Sequence, residues 1–302
     1  MKKKIIVKIS EGLGNQLFMY ANAFALSKKN NFDLLIDPFS GYFKTKNMYL
    51  FFLNRFKITS NTATPNFIFA NHYRNLIKKL LIFSDNFIKK KKFFFENKSS
   101  DKSTAFSPLD LSNANNYFFL DGNFESEKYF MDYRNELLNE FKIINEDFFY
   151  KNKFFKLIKD NNVVSISIRQ NRFSERIKNK SNYESIIKSK KFVDDTVSYI
   201  YRSISYFNNI ITNPKYLIWS NDFTGLEKYF DKSNFFFVEN KNDKVLKDFF
   251  LLTQCKYFIV GPTSFHWWGA WLSEHKDKIC LRPKNLNPSK NVDYWPESWI
   301  SI

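Results

Sequence analysis

The stretch Lys4-Ile5-Ile6-Val7-Lys8-Ile9-Ser10-Glu11-Gly12-Leu13-Gly14-Asn15-Gln16 decides how the chain is read. An apolar run of strand length gives way to a Gly-bearing turn, and the turn opens a helix-like segment over 16–29. A second apolar run, Asp33-Leu34-Leu35-Ile36, comes next, so the start reads as strand, turn, helix, strand. The second half repeats the alternation. Val163-Val164-Ser165-Ile166-Ser167-Ile168 predicts a strand and 192–207 a helix, followed by strands at 216–219, 235–238, 257–260 and 278–281. Helices at 243–253 and 265–272 and a short one near Leu226 fall between them. Strands separated by helical segments imply parallel sheets with crossover connections.

The two alternating regions are separated by a less regular region at 45–116 and by a helical segment at 131–159, which places a domain boundary near residue 157. Two domains also suit 302 residues at roughly 100–200 residues per domain. Hydrophobic residues make up 44% of the chain and Phe alone contributes 37, so wholesale disorder is excluded. Seven Gly, eight Pro and no fixed period exclude collagen-like and repeat architectures. Cys255 and Cys280 lack disulfide-framework or metal-ligand spacing, which suits a reducing cytoplasm. The three histidines are scattered, no apolar run has the length of a membrane span, and the basic start lacks a signal-peptide core.

Charge narrows the partners without naming one. The 47 Lys and Arg against 30 Asp and Glu leave +17, a field that attracts nucleic acid, anionic lipid or phosphorylated small molecules. Biased genome composition would give the same excess. No nucleic-acid-binding motif occurs, so nucleic acid is not an expected partner. Leu76-Ile77-Lys78-Lys79-Leu80-Leu81-Ile82-Phe83 and Phe87-Ile88-Lys89-Lys90-Lys91-Lys92-Phe93-Phe94-Phe95 interleave apolar and basic residues as an interfacial helix does, and equally as a solvated face over a core stripe.

Chemistry can sit at three places. Gly12 and Gly14 let a ligand approach the backbone, and the N–H groups at the helix start face an anion, although spacing alone fits a plain tight turn as well. Leu17 stands where a dinucleotide fingerprint needs its third glycine, and no Gly-Lys-Ser/Thr occurs after it, so neither phosphate-loop class fits. Arg169 comes directly after the 163–168 strand, where a guanidinium can clamp phosphate, or serve as an ordinary surface residue. Thr263 and Ser264, at a strand-to-helix junction, can cap the helix and offer hydroxyls and N–H groups to phosphate; Trp267, Trp268 and Trp271 read as core. No Asp-x-Asp anchors a divalent metal anywhere in the chain, which favours chemistry without one.

Together these segments resemble glycosyltransferase family 11, the bacterial alpha-1,2-fucosyltransferases. Glu11-Gly12-Leu13-Gly14-Asn15-Gln16-Leu17-Phe18 matches the family's opening Gly-Gly-Leu-Gly-Asn-Gln-Leu-Phe in all but the first position. Leu120-Asp121-Gly122-Asn123-Phe124-Glu125-Ser126-Glu127-Lys128-Tyr129-Phe130 is similar to its middle signature, and Trp219-Ser220-Asn221-Asp222 to a later one. Asp248-Phe249-Phe250-Leu251-Leu252-Thr253-Gln254-Cys255-Lys256, running into Ser264-Phe265-His266-Trp267-Trp268-Gly269-Ala270-Trp271-Leu272, is the most specific match, and Pro296-Glu297-Ser298-Trp299-Ile300 closes it.

The resemblance implies a GT-B-like α/β fold of two Rossmann-like domains facing a central cleft, with residues 1–157 on the acceptor side and 158–302 binding the nucleotide sugar. It implies an inverting, metal-independent transfer of fucose from GDP-fucose to a hydroxyl of a surface glycan, the acceptor being an oligosaccharide or lipid-linked glycan. No cofactor is implied beyond the GDP-sugar donor. The setting is the cytoplasm, with peripheral contact at the inner face of a bacterial inner membrane. By this analogy Gly12, Gly14, Asn15 and Gln16 approach the donor. Ser167 lies in the donor motif, and Arg169 meets the charge on the leaving GDP. Asp222 and Asp248 serve the nucleoside, and Thr263, Ser264 and Phe265 hold phosphate and base. Glu11, Asp37, Glu125 and Glu127 are candidate general bases, of which Glu11 is paired with Arg169 in the catalytic assignment. The family's His-x-Arg-Arg-x-Asp stands here as Ser167-Ile168-Arg169-Gln170-Asn171-Arg172. That change, with Glu11 for Gly, Thr263 for Ser and His266 for Ser around the same expected cleft, implies a different GDP-linked deoxysugar or heptose, or a degenerate binding homologue.

Overall fold

The computed structural model describes residues 2–43, 49–97, 103–175, 183–231, 233–241 and 243–302. Among them the chain forms two compact units, 1–144 with 289–296 and 145–288 with 297–302. The boundary thus falls before residue 157, because the helix at 153–160 packs into the second unit. Phe149, Tyr150 and Phe155 all bring their rings within 6 Å of Phe250. The return of 289–296 to the first unit was not legible in the sequence. Backbone bonds of 2.9 Å from Thr104 N to Lys290 O and from Val292 N to Thr104 O hold it there.

The first unit carries β1 (Lys4–Lys8), α1 (Leu13–Asn30), β2 (Asp33–Asp37), β3 (Asn61–Thr62), α2 (His72–Asp85), β4 (Lys91–Phe95), β5 (Ala114–Asp121) and α3 (Arg134–Glu140). Its sheet has the order β3-β2-β1-β5-β4 and every pair is parallel. The expected strand–turn–helix–strand start is present. Neither β4 nor β5 was read from the sequence, since flanking Lys and Asn residues mask short aromatic strands. The Lys/Phe stretch after α2 is therefore a strand and not a continuation of the helix. Asp85 stops the helix and its carboxylate accepts from the N–H groups of Lys92 (2.7 Å) and Phe93 (2.8 Å). Phe93 then stacks on Phe119 of β5 at 4.9 Å. α1 is buried on nearly every side, with Lys28 and Lys29 in its last turn and Asn31 in the left-handed region ending it.

The second unit carries α4 (Lys153–Asp160), β6 (Val163–Ile168), α5 (Tyr183–Ile210), β7 (Lys215–Ser220), β8 (Phe235–Phe237), α6 (Lys244–Thr253), β9 (Tyr257–Ile259), α7 (Ser264–Leu272), β10 (Ile279–Arg282) and β11 (Ile300–Ser301). Its sheet, also parallel throughout, has the order β11-β10-β9-β6-β7-β8. The strands expected at 163–168, 216–219, 235–238, 257–260 and 278–281 are all found. α5 begins nine residues earlier than its pattern suggested, over exposed turns carrying the pairs Glu184–Lys188 and Lys191–Asp195 four residues apart.

β6 is buried along its whole length, and its two faces do different work. Val164, Ile166 and Ile168 pack with Val193, Val197 and Ile200 of α5. Ser165 and Ser167, between them, face the start of α7 and the loop before it. The chain leaves β6 toward β7 and β8 on one side and later returns through β9 to β11 on the other. The carboxyl ends of β6 and β9 therefore flank the point where strand order reverses, the position at which open parallel sheets bind ligands.

Candidate active site

In the first unit, residues 11–16 form one turn at the carboxyl end of β1. Glu11 lies at φ 63°, a left-handed conformation that costs a non-glycine residue about 1–2 kcal/mol. Two bonds hold it there: Gln16 Nε2 donates to its carbonyl at 2.8 Å and the Tyr42 hydroxyl at 3.3 Å. The Glu11 carboxylate accepts from the side-chain amide of Asn15. Burial and the nearby Glu11 carboxylate push the Tyr42 phenol upward, so it stays a neutral donor.

Gln16 differs from expectation. It is fully buried, and besides Glu11 it donates to Leu50 O (2.7 Å) and accepts from Phe52 N (2.8 Å). Its amide is consumed in tying the 50–52 segment to the turn and is a positioning group. Gly12 caps α1 with an ordinary φ of −77°, and a Cβ added there would meet no atom within 4 Å. Neither backbone strain nor crowding demands glycine here, and the space beside it is open. Gly14 is buried in the first turn of α1.

Of the other candidate bases, Asp37 is buried, and one of its oxygens takes the N–H groups of Phe39 and Ser40, both at 3.0 Å. Glu125 accepts the Ser289 hydroxyl, and Glu127 opens a short 3-10 turn.

In the second unit, Ser167 near the end of β6, Arg169 and Asp222 just past β6 and β7, and Thr263, Ser264 and Phe265 past β9 all lie at the carboxyl ends of three adjacent parallel strands. Gly261 sits against the end of β6 so closely that a Cβ would fall 2.1 Å from Ser167 O. Only glycine allows this approach. Thr263 caps α7, its hydroxyl accepting from His266 N at 3.2 Å, and Ser264 is the first residue of that helix. Phe265 packs on Phe249 of α6, ring centroids 5.5 Å apart.

Arg169 projects beyond β6 and reaches Glu175, its Nη2 lying 2.7 and 2.6 Å from the two carboxylate oxygens. This guanidinium is partly exposed and held in place by Glu175. Asp222 lies just past the end of β7, its carboxyl lowered by the Thr224 N–H at 2.9 Å. Gln170 and Asn221 exchange bonds between the two loops: Gln170 N donates to Asn221 Oδ1 (2.9 Å) and Asn221 Nδ2 to Gln170 O (3.1 Å). Gln170 Nε2 also donates to Asp222 O at 2.7 Å. Arg172 turns away to Pro288 O (2.6 Å) and lies over the Phe192 ring.

Two sequence expectations need correction here. His266 does not line an open cleft; it is completely buried. Gly261 N–H donates to its Nδ1 at 2.9 Å, which leaves the proton on Nε2, 3.1 Å from Ser165 Oγ. Burial pushes its pKa down to about 3, so it is a neutral clamp between β6 and the Gly261 loop. Asp248 is likewise buried, with Asn240 Nδ2 donating to it at 2.7 Å and Asn152 Nδ2 to Asn240 at 2.8 Å. Burial raises its pKa to about 6 against the opposing effects of Asn240 and Lys244. Asp248 thus orders the loop after β8.

Sequence reasoning missed the His266 clamp, the Gln170–Asn221 exchange and the Glu175 partner of Arg169. Only the last left a signal, an acid six residues after the arginine. Among the described residues, no three of His, Cys, Asp and Glu gather as a metal-binding group.

The chain is 26% identical over 313 residues to an alpha-1,2-colitosyltransferase of Escherichia coli, covering 99% of this chain and 98% of that one. It is also 26% identical over 324 residues to the O-antigen biosynthesis glycosyltransferase WbnK of Escherichia coli, covering 97% and 99%. Among solved structures, a variant of FUT1 from Arabidopsis thaliana, in complex with GDP, superposes with a TM-score of 0.54 at 12% identity, over 95% of this chain and 72% of that one. At that identity the likeness is one of fold, and it agrees with the GT-B-like α/β architecture of two parallel sheets. The family model for glycosyl transferase family 11 matches residues 4–302, and the chain belongs to that family.

Proposed function

We propose that the protein is an inverting, metal-independent glycosyltransferase that moves fucose from GDP-fucose to a hydroxyl of a surface-glycan acceptor, working in the cytoplasm. The observation carrying this reading is the placement of Arg169 directly after β6 and of the Thr263–Ser264 start of α7 after the neighbouring parallel strand β9, both at the strand-order reversal of the second sheet. A guanidinium and helix-terminal N–H groups there suit the diphosphate of a nucleotide sugar. In the reaction the acceptor oxygen bonds to the anomeric carbon as the bond from that carbon to the diphosphate oxygen breaks. The electron pair leaves with GDP, whose new charge Arg169 and the α7 N–H groups meet.

The acceptor proton passes to Glu11. Two features support that assignment: the strained backbone at Glu11, since strain of this kind gathers at functional sites, and the commitment of Asp37 to its own turn. Gly12 and Asn15 are the partly exposed residues beside Glu11 in the same turn, and Gly14 is buried behind them.

A second donor is favoured by a specific observation. Ser167, Gln170 and Arg172, which replace family residues, all serve contacts within this chain, and one relative is a colitosyltransferase. Colitose is fucose lacking one hydroxyl, so a GDP-linked deoxysugar of that kind is the alternative.

Thermal unfolding with GDP, ADP, UDP and CMP, then with GDP-fucose and GDP-colitose, tests both. A ligand that binds the folded state raises the melting temperature, so GDP alone among the nucleotides should shift it and the better sugar names the donor. Arg169→Ala should lower transfer about 10²–10³-fold with the fold intact, and Glu11→Gln about 10²–10⁴-fold. No shift with GDP, or full activity in Arg169→Ala, removes the reading.

A further inference from the structure

We propose that the outer face of α2, with the turn after it, docks on an anionic lipid surface. The inference is independent of the donor and of catalysis. The inner side of α2 is fully engaged. Ile77, Leu81 and Ile82 pack on the cluster of Ile6, Phe69, Phe93 and Phe119. Lys78 pairs with Asp121 at 3.0 Å, and Arg74 lies over Phe69 and donates to the carbonyls of Pro65, Asn66 and Ile68.

The outer side is apolar as well. Tyr73, Leu76, Leu80, Phe83 and Phe87 succeed one another at intervals of three and four residues, which aligns them in one stripe along the helix and past its end. Their exposures run from 56% for Leu76 to 75% for Phe87, and Ile88 extends the patch. The rings of Phe83 and Phe87 meet edge to face at 5.3 Å, so the stripe is continuous through the turn. A soluble helix does not need apolar residues on both sides; the second stripe requires a partner.

Charge selects the occupant. Between residues 72 and 95 the one acid is Asp85, buried and bonded to the N–H groups of Lys92 and Phe93. Lys79, Lys89 and Lys90 are exposed beside the stripe. Lys91 and Lys92 are not part of this face, since Lys91 donates to Asp85 O and Lys92 lies over Tyr117. An apolar stripe flanked by cations and free of exposed carboxylate matches a membrane interface, with the rings and leucines at the acyl boundary and the lysines at anionic headgroups. A second copy would set lysine against lysine. Among the described residues no helix is long and apolar enough to cross a membrane, so the contact is peripheral.

Co-sedimentation of the full-length protein with vesicles of phosphatidylcholine alone, or of phosphatidylcholine with phosphatidylglycerol, tests the proposal. Binding to the anionic vesicles is expected, weakened by salt and by Lys89→Ser/Lys90→Ser about thirtyfold. It is expected to be abolished by Leu80→Ser/Phe83→Ser/Phe87→Ser. These side chains are exposed, so the variants should keep the wild-type melting curve; single Phe83→Ser and Phe87→Ser variants, each with partial loss, stand in if the triple variant melts early. Anionic-vesicle binding that is absent, or unchanged in both sets of variants, overturns the proposal. A concentration-dependent dimer that the apolar variant abolishes would do so too, by assigning the stripe to a second copy. The GDP-induced thermal shift, measured on the same samples, separates this result from the donor reading. Vesicle binding without a GDP shift leaves the surface standing and removes the GDP-sugar donor reading.

Discussion

His266 and Asp248 are both buried and both titrate away from their ordinary values, in opposite senses. Below about pH 6.5 the unfolded chain takes up a proton on His266 that the folded chain refuses until about pH 3. The stability this residue contributes is therefore complete above 6.5 and is lost as pH falls toward 3. Asp248 is protonated in the fold up to about pH 6, against 3.8 when unfolded, so its contribution is complete below 3.8 and lost as pH rises through 6. Between pH 4 and 6 the two slopes oppose each other. Urea denaturation should accordingly show Asp248→Asn losing about 2 kcal/mol more than wild type between pH 6.5 and 4.5, and His266→Ala changing in the reverse direction. At pH 7 His266→Ala should also cost about 1–3 kcal/mol, because Gly261 N–H loses its acceptor in a buried place. A variant whose pH curve runs parallel to wild type would show that the residue is not buried in the assigned protonation state.

At the scale of elements, two glycines at the starts of helices carry opposite predictions. Gly261→Ala brings a Cβ against Ser167 O and must push β6 and the loop after β9 apart, a loss of about 1–3 kcal/mol seen in the melting temperature. Gly12→Ala meets no atom, so its stability should change by no more than about 1 kcal/mol while transfer from the GDP-sugar falls. Full transfer by Gly12→Ala would mean that no ligand approaches that turn. The sequence showed where these helices begin, through the glycines and the capping Thr263, because strand-to-helix turns use a local vocabulary. It did not show what the alternation in β6 meant. Val-Ser-Ile-Ser-Ile reads as a strand with one wet face, yet the serine face takes Gly261 and His266, about a hundred residues onward. Small polar residues there make room for α7 and accept its histidine.

At the scale of the molecule, residues 289–302 serve both units. Asn291 and Tyr294 are buried in the first, where Asp293 pairs with Lys128 at 2.8 Å and accepts from Phe106 N. Trp299 and β11 complete the second, with Trp299 5.6 Å from Trp267. Truncation after Pro288 should therefore cost several kcal/mol and speed hydrogen exchange both around the Glu127–Tyr129 turn and in α7. Asp293→Ala should loosen only the former; acceleration in α7 as well would contradict the division. The sequence by itself determined the alternating α/β order, the parallel sheets and the family. Backbone period and turn chemistry are written over a few residues, and the family's motifs keep their order along the chain. Tertiary structure alone decided that Gln16, Asp37 and Asp248 are spent on internal bonds, that Arg169 waits on Glu175, that 289–296 returns to the first unit and that α2 keeps an apolar stripe outside. Each of these depends on which strand or loop lies beside which. That neighbour is chosen by the packing of the whole chain, and no local pattern names it.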